Sequence, residues 1–408
     1  LCKYINKPAN RNNIIKDLSQ ECYDADFFKN LDTQNLDVFV CSNCVLDLKQ
    51  CVIRQGQPGD MCSITSNIDF PMDISDDYAE ECFDEIDEFL DKLFPDLECR
   101  DYFLNIVAEC LSGRHRREEF YIFTGSGQNG KSLLCKLLSK VFGNYYYEPD
   151  SAIYSNYDAD PNTPKPIIAN MKGVRLLITQ EPKSNKPLQS SVIKKMSGGD
   201  NQTARHLNAE PFSFIPQCKF CMCCNDIPNI DSNDYGTFRR ILVLPFVSTF
   251  VEPDDQRLKN PKKFPHHYPK DKSIESEDKI NKWAPYLLYI LWRRYIDLYN
   301  KNFNQLIETN RPNIVNKAIE EYKKSSNIYS TFVREQMVYD INKKQLLNEI
   351  LAEFKLYATN NDSSFKFKKN ECEKHLLREI IHLGGEKKKE NNDYFIYYCT
   401  LHGQGIDN

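Results

Sequence analysis

Phe120-Tyr121-Ile122-Phe123-Thr124-Gly125-Ser126-Gly127-Gln128-Asn129-Gly130-Lys131-Ser132-Leu133-Leu134 passes from an apolar run, through a glycine-rich turn, into a helical pattern. Phe120 to Thr124 predicts a buried strand. From Ser132 to Phe142, Leu133, Leu134, Leu137, Leu138 and Val141 recur at helical spacing. The segment between them, Gly125, Ser126, Gly127, Gln128, Asn129, Gly130, Lys131 and Ser132, fits G-x-x-x-x-G-K-[ST], the Walker A phosphate loop. Glycines let the backbone curl so that several N–H groups face phosphate oxygens, and the helix start adds partial positive charge. Lys131 would lie between the β- and γ-phosphates of ATP, and Ser132 would offer its hydroxyl to Mg²⁺.

Hydrolysis also needs a carboxylate to hold the metal's water and orient the attacking water. The apolar run Val174 to Thr179 ends in Gln180-Glu181-Pro182, which puts Glu181 at a strand tip as the catalytic acid and a metal-site residue. Gln180 fills the neighbouring place, so only one acid is available; a surface-loop acid is the plainer reading. The next strand, Lys219 to Cys224, ends in Asn225, an amide able to sense a γ-phosphate or simply to form the turn before Asp226 and Pro228. Arg239-Arg240 then lead into the apolar run Ile241 to Phe246. In a ring, one of this pair would stabilise the transition state in the neighbouring subunit, Arg239 being the first choice and Arg240 the second; an ordinary surface pair has the same sequence.

Short apolar runs separated by helices predict an α/β core, a sheet flanked by helices, over 111–285. Before it, 1–110 reads as mainly helical, with a short strand at Val38 to Val40. Its segment Asp76 to Phe94 is acidic, with Cys82, Ile86, Phe89, Leu90 and Leu93 at helical spacing and the acids on a solvated face. Glu252 to Lys279, rich in Pro, Lys and Asp, reads as a loop or linker. The region 286–408 reads as helical at Trp283 to Tyr299, Ile314 to Tyr322 and Leu346 to Tyr357. The basic run Lys387-Lys388-Lys389 and a strand at Tyr394 to Cys399 then complete a winged-helix-like unit.

A length of 408 residues calls for two or three domains. The net charge of −5 argues against a face that coats duplex DNA, while leaving room for cations confined to a channel. No run of 18 apolar residues occurs, so no membrane span is expected. The 16 cysteines form no regular framework; the favoured reading is reduced thiols in a reducing compartment, with zinc at Cys41 and Cys44 as the alternative. The start at Leu1 is read as part of a longer chain. No acid cluster for polymerase metal ions stands out, so primer synthesis is not expected here.

Phosphate loop, acid-tipped strand, Asn-tipped strand and arginine pair, in that order, resemble the superfamily 3 helicases of DNA viruses, a branch of the AAA+ ATPases. Ile193-Lys194-Lys195-Met196-Ser197-Gly198-Gly199-Asp200 with Ala204-Arg205 is similar to that superfamily's additional motif. Asn43-Cys44-Val45-Leu46-Asp47-Leu48 resembles the N-G-V-L-D-L of poxvirus-type primase–helicases, with Cys44 in place of glycine. Ala318 to Tyr322 and Leu346 to Tyr357 look like that family's C-terminal helices. The resemblance implies a collar-type N-terminal domain, a homo-hexameric ring, and single-stranded or forked DNA as the track. It also implies an upstream primase, a viral polymerase complex and the cytoplasm of a cell infected by a large DNA virus. It places Lys194, Lys195, Arg205 and His206 at the DNA channel, the last two beside a hairpin turn near Asn208 to Pro211; the lysines could instead sit on an outer helix face. A loader, packaging ATPase or ring scaffold without strand unwinding shares the same site and is the alternative.

Overall fold

A computed structural model describes all residues of the chain except 1, 25, 115–116, 156–164, 183–186, 232–234, 302–309, 327, 362–366, 392, 403–405 and 408. At its centre lies a five-stranded sheet of order β10-β4-β9-β6-β5, with every neighbouring pair parallel. The strands are β4 (Phe120–Thr124), β5 (Tyr146–Tyr147), β6 (Leu176–Gln180), β9 (Lys219–Cys224) and β10 (Ile241–Pro245). All six residues of β9 and the first four of β4, β6 and β10 are buried. Continuous apolar strands suit a parallel sheet covered by helices, which is the predicted α/β core. The helix α4 (Lys131–Phe142) follows β4 directly and buries Leu134, Leu137, Leu138 and Val141.

Ahead of the sheet lies α1 (Pro8–Glu21), which buries none of its residues. Next comes an antiparallel sheet of β1 (Val38–Val40), β2 (Val45–Asp47) and β3 (Val52–Arg54). The expectation of a mainly helical start foresaw only the first of these. The Asn43-Cys44 segment is the β1–β2 turn: Asn43 donates to the Phe70 carbonyl and accepts from its N–H, each at 2.9 Å. Asp47 accepts from Arg54 at 3.0 Å. Cys41 and Cys44 are buried free thiols there, and among the described residues no group of three or more His, Cys, Asp or Glu could hold a metal ion. The acidic segment forms α2 (Asp77–Leu93), capped by Asp76, and α3 (Leu97–Glu109) follows, capped by Asp96. Between them they bury Ile86, Phe89, Leu90, Leu93, Phe103 and Val107 in the same apolar cluster as the sheet.

The hairpin β7 (Gln202–Ala204) and β8 (Phe212–Phe214) follows α5 (Ser190–Ser197). The presumed linker is structured: β11 (Thr249–Val251) pairs in parallel with β12 (His267–Pro269). Its end belongs to α6 (Glu277–Asn300), which runs straight through residue 285, where the sequence reading divided the chain. The buried residues of α6, and Val315, Ile319 and Tyr322 of α7 (Asn313–Ser326), join the central cluster. A second cluster gathers Phe332, Ile350, Phe354, Leu376, Ile380, Ile396 and Cys399. Its elements are α8 (Ile328–Gln336), β13 (Met337–Leu346), α9 (Leu347–Asn361), α10 (Lys369–His382), β14 (Glu386–Glu390) and β15 (Asp393–Leu401), with β16 (Ile406–Asp407) on the sheet edge. Among the described residues, no helix is long and apolar enough to cross a membrane.

Candidate functional site

In a parallel sheet, loops at the carboxyl ends of the strands collect on one edge, and ligands bind there. The phosphate loop leaves the end of β4 and opens α4, with Gly130 as the N-terminal residue of the turn at φ +79°. A Cβ on Gly130 would also stand 2.6 Å from Leu93 Cδ1, so glycine is required twice over. At Gly125 a Cβ would meet Asn129 Nδ2 at 2.1 Å and the Phe246 carbonyl at 2.5 Å.

Lys131 is the buried centre of this loop, 6% exposed. Its Nζ donates to Asn129 Oδ1 at 3.0 Å, to the Gly125 carbonyl at 3.1 Å and to Asn225 Oδ1 at 3.2 Å. Burial pushes the ammonium below its usual range. Three neutral oxygens around a partly desolvated cation form a set that phosphate oxygens could exchange with. Asn129 Nδ2 is a further buried donor that no protein atom satisfies. Ser132, one residue into α4, is exposed.

β9 sits beside β4 and delivers Asn225; β6, on the other side of β9, delivers Glu181. Thr124 Oγ1 donates to the Asn225 carbonyl at 3.0 Å, tying the two strand ends together. Glu181 N donates to the Cys223 carbonyl at 3.1 Å, yet the residue has φ +47°. That left-handed backbone is uncommon for a residue with a Cβ, and such strain gathers at functional sites. Gly127, Gln128, Asn129, Gly130, Lys131, Ser132, Glu181 and Asn225 line one cavity of about 470 Å³. The donor set fits a triphosphate with Mg²⁺: a backbone nest, one cation, one hydroxyl and one carboxylate.

The arginine pair lies elsewhere. Arg240 immediately precedes β10, whose first residue pairs with Phe120, so both arginines sit at the amino end of the sheet, and neither lines the cavity. β10 is five residues long, about 16 Å at strand rise. Arg239 is exposed at 48% of its side chain and pairs with Glu118, which also holds Arg240 at 2.7 Å. Sequence reasoning missed Glu118, whose only signal was a charged run before β4, basic residues followed by Glu118 and Glu119. A buried ionic group underlies that end: Arg117 pairs with Glu109 and, at 2.7 Å, with Glu119, while Lys219 reaches Glu109 at 3.0 Å.

Lys194 and Lys195 are in the last turn of α5, half-buried and exposed respectively. Arg205 and His206 follow β7 on the β7–β8 hairpin, where His206 is exposed and its ring lies 5.9 Å from that of Phe212. None of the four lines the cavity.

The other cavity wall was not foreseen. It includes Glu85, Glu88, Phe89 and Lys92 of α2, Phe250 of β11, Ile274, and Lys279 and Trp283 of α6, and the charged residues Glu252, Lys270, Asp271 and Glu275 lie on it too. Glu85 accepts from Lys279 and, at 2.7 Å, from Trp283 Nε1. Burial pushes its carboxyl up, but those donors outweigh it and hold the group down at about 2. The acidic side of α2 is thus partly a cavity wall, a correction to the reading of a wholly solvated face.

Two family models match: a D5 N-terminal-like family at residues 1–95, and a family of unknown function (DUF5906) at 123–240. A protein of Acanthamoeba polyphaga mimivirus named "Putative helicase L207/L206" is 34% identical over 84% of this chain and 35% of its own length. Invertebrate iridescent virus 3 has a protein named "Putative helicase 121R", 27% identical over 91% of this chain and 40% of its own. An African swine fever virus protein named "Putative primase C962R" is 24% identical over 64% of this chain and 26% of its own. The chain therefore spans well under half the length of these relatives. Taken with the turn at Asn43 and the phosphate loop, the matches show that the chain belongs to the primase–helicase family of the nucleocytoplasmic large DNA viruses.

Proposed function

We propose that this chain is an ATP-driven, superfamily 3 type DNA helicase module that works as a homo-hexameric ring on single-stranded or forked DNA. The names of its relatives support a helicase or primase setting. One observation carries the reading: Lys131, Asn225 and Glu181 line one cavity, while Arg239 and Arg240 lie at the opposite end of the same sheet. Such a division suits a site completed between subunits.

In this mechanism the loop N–H groups and Lys131 bind the triphosphate, and Lys131 leaves its three neutral acceptors for phosphate oxygens. Ser132 and Glu181 would hold Mg²⁺, which when bound would supply Lewis-acid polarisation of the γ-phosphate. Glu181 orients the attacking water, and Asn225 reports the γ-phosphate to β9. Arg239 of one protomer, released from Glu118, stabilises charge developing in the next protomer's site; Arg240 is the second choice. Lys194, Lys195, Arg205 and His206 contact DNA phosphates in the ring's channel.

The helix–strand–helix–helix–hairpin order of the last unit supports a winged-helix-like C-terminal domain. We place the ATPase domain at 111–285, a collar-type domain before it and this unit after it, with α6 and α7 packed on the core. The setting is viral replication in the host cytoplasm, with a primase upstream and a polymerase complex as partner.

The test is the particle mass with ATP and single-stranded DNA, followed by unwinding of a forked duplex. A ring whose ATPase rises with single-stranded DNA and which displaces a strand supports the proposal. A ring that hydrolyses ATP without displacing a strand would favour a loader, packaging ATPase or scaffold. A protein that neither assembles nor hydrolyses ATP would overturn both.

A further inference from the structure

The cavity at the phosphate loop has about 470 Å³ and a mixed lining. Beside the nest of backbone N–H groups around Lys131 it carries four apolar side chains, Phe89, Phe250, Ile274 and Trp283, among charged residues such as Glu88, Glu252 and Asp271. Phe250 lies against the loop itself: its N–H donates to the Gln128 carbonyl at 2.7 Å, and its ring lies 3.2 Å from where a Gly130 Cβ would stand. Phe89 and Trp283 are almost wholly buried, with ring centroids 5.6 Å apart, and form a fixed floor. Phe250 and Ile274 are only partly buried and so keep apolar surface to offer. The Trp283 N–H is occupied by Glu85, and that carboxylate by Lys279 as well. The floor is therefore rigid, and its polar groups are already satisfied.

We propose that Phe250 and Ile274, backed by Phe89 and Trp283, form the subsite for the base of the nucleotide, so that α2 and the β11–α6 segment select the nucleoside while the loop holds its phosphates. This rests on the nucleotide-binding part of the function proposed above. A flat ring stacked on an aromatic side chain gains affinity with little demand for hydrogen-bond readout. The slot therefore prefers a large base surface, purine over pyrimidine. It also makes the N-terminal helix α2 a wall of the nucleotide site.

The 408-residue chain titrated with ATP, CTP and inorganic tripolyphosphate tests the assignment. The expected order is ATP, then CTP, then tripolyphosphate. Phe250→Ala should weaken ATP by roughly tenfold, the worth of one base stack, and Ile274→Ser by about threefold through lost apolar contact, and both should leave tripolyphosphate within about twofold. Equal weakening of ATP and tripolyphosphate in Phe250→Ala would mean that Phe250 only props the loop, and an Ile274→Ser chain that binds ATP as the unaltered chain does would then remove the subsite. ATP binding no tighter than tripolyphosphate to the unaltered chain also overturns the proposal. If tripolyphosphate itself fails to compete with ATP, the loop is not a phosphate site and the function proposed above fails with it.

Discussion

Lys131 Nζ donates to Asn225 Oδ1 across 3.2 Å, so the cation of the phosphate loop and the tip of β9 are in direct contact. The two residues are far apart in sequence and meet only because β4 and β9 are neighbours in the sheet. A cation shared in this way links the chemistry of the loop to the position of a strand.

Substituting the two partners should therefore separate binding from turnover. Lys131→Ala is expected to abolish ATP binding by fluorescence titration. Asn225→Ala should leave binding within a few-fold and lower kcat by about 10²- to 10³-fold, the usual cost of one lost stabilising donor. Unaltered turnover in Asn225→Ala would show that β9 takes no part in hydrolysis.

Arg239→Ala should bind ATP normally and lose about 10³-fold or more in kcat. The decisive measurement mixes it with Lys131→Ala. Each protein lacks one half of a composite site, so mixed rings should recover activity that neither has alone. No recovery in verified mixed rings would count against action between subunits. Glu118→Gln should loosen both arginines and shift turnover without changing ATP affinity.

Glu85 predicts a pH effect of definite sign. Its carboxyl is depressed from an ordinary value of 4.5 to about 2 in the folded chain. A depressed acid contributes stability above its unfolded value and loses it as pH falls through the folded one. Glu85→Gln should hence lower the urea midpoint at neutral pH, and the gap to the unaltered chain should close between about pH 4.5 and 2. A gap that persists unchanged at the acid end would show that the effect is packing rather than charge.

The Glu109–Arg117–Lys219 group should behave as a buried network. Glu109 is fully buried and Arg117 is 7% exposed. Glu109→Ala takes the carboxylate from Lys219 and leaves Arg117 only Glu119, and about 3–5 kcal/mol of stability should be lost in chemical denaturation. A loss below about 1 kcal/mol would mean that water enters and screens the group.

On the hairpin, Arg205→Ala should lower single-stranded DNA affinity uniformly across sequences and reduce the salt slope by about 0.7 for each phosphate contact removed. An unchanged slope would take Arg205 off the DNA.

The phosphate loop is legible in sequence because its requirements are local. Gly130 must adopt a positive φ, Lys131 must follow it, and strand and helix flank both. Glu181 and Asn225 are legible for a similar reason, since each ends an apolar run that becomes a strand of the sheet. Glu118 is not, because charge before a strand is common and its role depends on Arg239 folding back beside it. Phe250 and Trp283 escape notice for the opposite reason: apolar residues in ordinary elements carry no spacing that marks a cavity. The β2–β3 hairpin escapes because Val52 to Arg54 is short and half-exposed, with no alternating pattern. Residue 285, where the sequence reading divides the chain, gives no local sign of the helix around it: Pro285 stands within α6, and the apolar side of that helix continues onto the core.

The φ of +47° at Glu181 has a consequence for engineering. A glycine there would fit the backbone without strain, and the folded chain should gain stability, of order 1 kcal/mol. It would also lose the carboxylate on which hydrolysis is proposed to depend. Selection for heat resistance alone would therefore favour a tougher, inert protein, so Glu181 is the position where robustness and catalysis make opposite demands.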